Sequence, residues 1–154
     1  MYPLLVQLHS YLRYFVLFFL VLVVIRSFYF WQKKLIFNNQ TNKLSLYLLI
    51  VTHLQLILGL ILYSISPNVQ LTHMASAMKD PIIRYWTVEH ISLMIIAVIL
   101  ITIARISMKK LKTDTAKHKR LFFLNIVALI FILAAIPWPH TAVGAGRHFL
   151  FGFF

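Results

Sequence analysis

The chain has 154 residues, 61% of them hydrophobic and only 12% charged, with a mean hydropathy of +0.85. A soluble domain is about half apolar, so this composition describes one compact domain in a lipid bilayer. The lack of cysteine excludes disulfides, thiolate metal sites, iron–sulfur clusters and covalent haem attachment through cysteine, and the net charge of +12 sits in short loops beside apolar runs, where basic residues orient a membrane protein rather than bind nucleic acid.

In chain order, the segment MYPLLVQLHSYLRYF lacks a basic start and carries His9 and Arg13 within its apolar run. It reads as a retained span, near 4–26, not as a cleaved leader. Phe28, Tyr29, Phe30 and Trp31 follow as an interfacial aromatic cluster, then Lys33 and Lys34. The polar run Asn38-Asn39-Gln40-Thr41-Asn42-Lys43 reads as a loop. A second span lies near 44–66. Asp80-Pro81 places an N-cap and a first-turn proline ahead of a third, near 81–108. The fourth, near 120–137, is stopped by Pro137-Trp138-Pro139. Each run approaches the ~20 residues that cross a bilayer core. The expected fold is all-α, an integral membrane up-down-up-down four-helix bundle. The tail from Ala142 to Phe154, with Gly144, Gly146 and Gly152 among aromatics, reads as an interfacial segment at the bundle mouth.

The loop after span one carries Arg26, Lys33, Lys34 and Lys43. The loop after span three carries Arg105, Lys109, Lys110, Lys112, Lys117, Lys119 and Arg120. The opposite side has Lys79, Arg84 and Arg147. Basic loops stay in the cytoplasm, which puts both termini outside.

Ionisable groups inside spans are costly and face the interior. Here they are His9, Arg13, His53, Glu89 and His90. A rise of ~1.5 Å per residue from the basic ends puts His53 ~15 Å, Arg13 ~20 Å, His90 ~23 Å and His9 ~26 Å above the cytoplasmic boundary. His9 and His90 thus share a level on spans one and three. Two imidazoles facing across a bundle core make the ligand geometry of a six-coordinate b-type haem, with His90 and His9 as its metal ligands. Against this stands plain hydrogen bonding to neighbours at the interface. Met94, Ala97 and Ile101 continue the His90 stripe with residues suited to a porphyrin face, and Arg84 and Arg147 lie where propionates pair.

His53 requires a partner at its depth. It is a candidate to replace His9 at the iron, to ligate a second haem, or to hydrogen-bond a quinone carbonyl; an interhelical hydrogen bond, worth ~0.6 kcal/mol, is the structural alternative. Thr52, Leu56, Gly59 and Tyr63 share one face, on which Gly59 permits close approach. Arg13 and Glu89 sit at similar depth, so a salt bridge is expected; the functional alternative is anchoring of a propionate or quinone by Arg13, or proton transfer through Glu89. His118, in Lys117-His118-Lys119-Arg120, reads as part of a solvated basic turn or a contact with anionic lipid. His140 lies on the outer side, within reach of the bundle mouth. No zinc motif, phosphate loop or nucleophile elbow occurs, which leaves hydrolase and kinase readings unsupported.

Leu8-His9-Ser10-Tyr11-Leu12-Arg13, Thr52-His53-Leu54-Gln55-Leu56, Val88-Glu89-His90-Ile91, Ala116-Lys117-His118-Lys119-Arg120 and Ile136-Pro137-Trp138-Pro139 together resemble a group of small four-span bacterial membrane proteins loosely called cytochrome b. The resemblance runs over nearly the whole chain. It implies haem b, electron transfer in a bacterial inner membrane, and a carrier or membrane anchor of a larger oxidoreductase sooner than a stand-alone enzyme. The expected partners are the lipid bilayer and other membrane subunits or quinone. The competing readings are a haem-free accessory subunit and a small quinone-binding or transport protein.

Overall fold

The computed structural model describes residues 1–144, and regular structure there is helical throughout. Long helices carry the chain: α1 (Tyr2–Gln32), α2 (Asn39–Ile65), α3 (Pro81–Lys109) and α4 (Asp114–Ala134), with a single turn at Met74–Ala77 before α3. Each start is chemically marked. Asp80 accepts from the N–H groups of Ile82 at 2.8 Å and Ile83 at 3.1 Å, and Pro81 follows with no N–H to leave orphaned, as the sequence predicts. Thr113 caps α4 through the amide of Ala116.

Asn38 caps α2 by accepting from the Thr41 amide at 3.0 Å. Here the expected loop differs from the structure. Residues 39–43 form the first turn of α2, because their side chains have a better use than solvent. Arg26 of α1 donates to Thr41, Asn38 and Gln40. Arg105 of α3, only 5% exposed, donates through Nη1 to the Asn42 carbonyl, to Asn42 Oδ1 and to Ser45 Oγ. The polar run is thus the acceptor shell of two arginines, and it ties three helices together at the basic end.

α1 extends past its expected end, through the aromatic cluster. Phe28 and Trp31 pack at a tilt on Phe122 of α4, with ring centres 5.1 and 5.8 Å apart, so the helix continues to bury its interfacial rings. It closes with Lys34 at φ 52°, while Leu35 donates back to the Phe30 carbonyl. That left-handed closing residue is usually glycine.

α1, α2 and α3 are long and apolar enough to cross a membrane. α4 is not counted with them. Its first turns carry Asp114, Lys117, Lys119 and Arg120, so the apolar part, 121–134, spans only ~20 Å at ~1.5 Å per residue against a hydrocarbon core of ~30 Å. α1 packs chiefly on α2 and α4, and α3 chiefly on α4, with a lighter contact to α2. The shared core holds Leu20, Leu48, Ile101 and Leu121, and Ala97, Ala104 and Ala128 let the backbones approach. Large apolar side chains such as Phe15, Phe18, Ile57 and Ile130 point outward and are more than half exposed, the pattern of a lipid-facing surface. Beyond Gly144, the expected interfacial tail with Gly146, Arg147 and His148 lies outside the described residues.

Candidate functional site

A cavity of about 170 Å³ opens near the end of the bundle opposite the arginine shell, with walls from all four long helices. His9 and Arg13 come from α1, Gln55 and Gly59 from α2, and His90 and Met94 from α3. The two histidines placed at one depth by counting residues are therefore brought to one space. His9 also lies within electrostatic reach of His90 and Arg13. Met94 and Ala97 line the cavity along the His90 stripe, while Ile101 lies in the packed core.

Local structure fixes His90. Residues Tyr85–Glu89 form a π-helical turn just before it. Such a turn inserts an extra residue and resets the direction of everything upstream. The helix below presents Nδ1 of His90 to the carbonyl of Ala135, 2.9 Å away, and Tyr85 donates its hydroxyl to the same oxygen at 2.6 Å. Ala135 is the C-cap of α4, and its carbonyl has no partner within its own helix. A carbonyl oxygen only accepts, so Nδ1 carries the proton and, in the neutral ring, Nε2 carries the lone pair. This is the arrangement by which metal-binding histidines fix their tautomer.

His9 is held differently. Gln55 Nε2 donates to its backbone carbonyl at 3.0 Å and so pins α2 to α1. Its ring lies against Gly59, where an added Cβ would stand 3.2 Å from His9 Cε1. The close approach foreseen at Gly59 is thus made by an imidazole. Buried polar atoms in the cavity wall lack a hydrogen-bond partner among the described residues: His9 Nδ1, Thr52 Oγ1 and Gln55 Oε1. Each costs ~1–3 kcal/mol if left so, and a cavity of this size holds the waters or ligand that would satisfy them.

Other expectations separate here. His53 does not line the cavity. Its Nδ1 donates to the Leu49 carbonyl at 2.8 Å, one turn back on α2, while Thr52, 3% exposed, takes the inward position. Adjacent helical residues point ~100° apart, so the two cannot share a direction. The expected Arg13–Glu89 salt bridge does not form. Glu89 pairs with Arg84 at 2.6 Å. A separation of five residues is off-face in an α-helix and aligned in a π-turn, and the turn delivers that pairing. Arg84, which the sequence placed where a propionate could pair, is thus engaged by Glu89. Arg13 donates to the Tyr14 hydroxyl at 3.2 Å and remains in the cavity wall with no carboxylate within ion-pair distance among the described residues. Detergent stabilities of Arg13→Ala, Glu89→Ala and the double variant are therefore expected to add within ~0.5 kcal/mol; a coupling beyond ~1 kcal/mol would restore the bridge. Arg84 and Glu89, whose side chains are 39% and 43% exposed, should couple by less than ~1 kcal/mol.

His118 is also not where its basic neighbours suggested. It is fully buried between Phe30 and Phe37, because it occupies the inward side of α4 that continues through Leu121 and Asn125. His140 is exposed and stacked on Trp138, away from the cavity. Among the described residues no three of His, Cys, Asp or Glu gather as a metal-holding group; the site offers a pair of imidazoles. The Tyr63 hydroxyl donating to the Thr87 carbonyl at 2.8 Å, and the Gln70 amide donating to Thr87 Oγ1, brace the π-turn. Sequence reading missed that brace; the one available signal was a threonine amid the apolar start of span three. No protein family, curated protein or solved structure matches this chain.

Proposed function

We propose that the chain is a b-type haem protein of electron transfer, with His90 and His9 as axial ligands. The observation that carries this reading is that both imidazoles open on one cavity from helices that each pack mainly on other neighbours. The fit rests on the donor set. His90 is held in a ligand-competent tautomer by Ala135, and His9 Nδ1, in the cavity wall, has no partner among the described residues. Arg13, an intramembrane cation with no carboxylate beside it among the described residues, suits a propionate. When bound, haem supplies a one-electron couple; the chain holds the rings, supplies the counter-charge and excludes water through walls such as Val16, Met94 and Ile132.

The reading extends to an up-down-up-down four-helix bundle whose fourth span, near 120–137, is short and lies against α1 and α3. The protein sits in a bacterial inner membrane with basic loops in the cytoplasm and both termini outside, as a carrier or anchor beside other membrane subunits. The resemblance in the sequence and the lysine and arginine distribution support this. A reporter fused at Thr113 should read as cytoplasmic; an external reading would reverse the topology. Purified protein should carry about one haem per chain by pyridine haemochrome assay.

A second reading, a lipid-soluble quinone in the cavity, is favoured by two buried atoms without a partner among the described residues: the Thr52 hydroxyl, which can donate to a quinone carbonyl, and Gln55 Oε1, which can accept from the hydroxyl of the reduced quinol; a porphyrin face satisfies neither. A colourless preparation whose Trp86 fluorescence is quenched by a short-chain quinone would replace the first reading with this one. A colourless preparation that binds no quinone is a structural subunit.

A further inference from the structure

The α1–α2 connection is held on the start of α4 at the basic end. The Phe37 ring packs on His118 at 5.1 Å, and the Lys117 ammonium lies 5.4 Å from the centre of the same ring. Phe30 closes the other side of the imidazole, edge-on at 5.4 Å. The Phe37 amide and Lys117 act on the Asp114 carboxylate. In this slot His118 is 0% exposed, and neither ring nitrogen has a hydrogen bond among the described residues. The carbonyls of Leu35 and Ile36 stand near the ring but outside hydrogen-bonding geometry.

We propose that His118 is the proton-sensitive element of a latch that fastens residues 33–38 to α4, closed with a neutral imidazole and released when the ring is protonated. The inference is independent of haem. An imidazolium has two donors to satisfy, and this slot gives it two phenylalanine rings; the backbone of Ile36 and Leu35 favours the cation, but less than burial disfavours it. The surrounding charges do not overcome burial. Asp114 of α4 attracts a cation there and Arg26 of α1 repels one more weakly. Lys117 is directed to Asp114 and Phe37. Lys33 and Lys34 of the connection and Lys43 of α2 are exposed, and Arg105 of α3 gives its Nη1 to Asn42 and Ser45.

Burial therefore pushes His118 below its ordinary value of 6.5. The released state binds the proton more readily, so closure is fully favoured above pH 6.5 and weakens as pH falls below it. Asp114 works in another window. The Phe37 amide and Lys117 hold its carboxyl below 3.8, so its contribution is intact above that value and is lost only in stronger acid. Between pH 7.5 and 5.5 the latch reads His118 alone, from the basic side of the membrane.

Hydrogen exchange of the full chain in detergent, corrected for the pH dependence of the chemical step, reads the opening of residues 33–38. Wild type should open about tenfold more at pH 5.5 than at pH 7.5, the limit for one group with an ordinary value near 6.5. His118→Leu should be flat over that range. Phe37→Ala should be open at both ends of it. Equal pH slopes in wild type and His118→Leu, or a flat wild type, would overturn the latch. If His118→Leu does not fold, ring nitrogen shifts of wild-type His118 decide: a charged ring at pH 6 with residues 33–38 still protected overturns it, and a neutral ring supports it.

Discussion

His90→Ala is expected to lose haem, to below about a tenth of the wild-type content, with insertion intact. Removing groups that merely orient a metal ligand costs 10–100-fold in affinity, and a ligand itself costs at least that. The fold should survive, because the Ala135 carbonyl keeps its bond from Tyr85 and is not orphaned. His9→Ala should leave iron held by His90 alone and convert a low-spin spectrum to a high-spin one, or lose haem. His53→Ala should leave the spectrum unchanged, since its ring bonds along its own helix and does not line the cavity. A low-spin spectrum that survives His9→Ala and not His53→Ala would move the second ligand to α2.

Asn42→Ala is expected to cost about 2 kcal/mol, the largest loss among the acceptors of the arginine shell. The side chain accepts from a buried guanidinium, and hydrogen bonds to charged groups contribute ~1.5–3 kcal/mol. Its loss leaves Arg105 Nη1 with the residue 42 carbonyl and Ser45, beside an Nε that has no partner among the described residues. The contact also joins α2 to α3, the more lightly packed of the neighbouring pairs, so little else compensates. Gln40→Ala is the control: Arg26 keeps Thr41 and Asn38, and the change should stay within ~0.5 kcal/mol. Denaturation in detergent measures both. Equal losses would mean that the Arg105 anchor contributes little.

Much of the fold is legible in the sequence, because capping and hydropathy act locally. Asp80-Pro81 starts a helix wherever it stands, and an apolar run of 20 residues has few other fates. His9 and His90 line one cavity because depth along a straight helix is simple arithmetic. Direction around the helix is harder. Thr52 and His53 compete for the inward position, and only packing against α1 and α3 decides between them. The Arg13–Glu89 pairing fails for the same reason: residue counting gives height, while the π-turn at Tyr85–Glu89 swings Glu89 onto Arg84. His118 was obscured by its neighbours. Lysine and arginine on either side describe a surface, yet one residue in that run faces inward, and the phenylalanines that bury it lie some 80 residues earlier in the chain. The arginine shell of Asn38 to Ser45 was hidden likewise, since a polar run looks like a loop until its cations arrive from other helices.

The central claim is that His9 and His90 ligate one iron from two helices. Electron paramagnetic resonance of the oxidised, purified wild-type protein tests it most directly. Ligation by both rings gives a low-spin ferric signal typical of two imidazole ligands, lost in both His90→Ala and His9→Ala. A high-spin signal in wild type, a low-spin signal indifferent to His9, or a protein free of iron would contradict it.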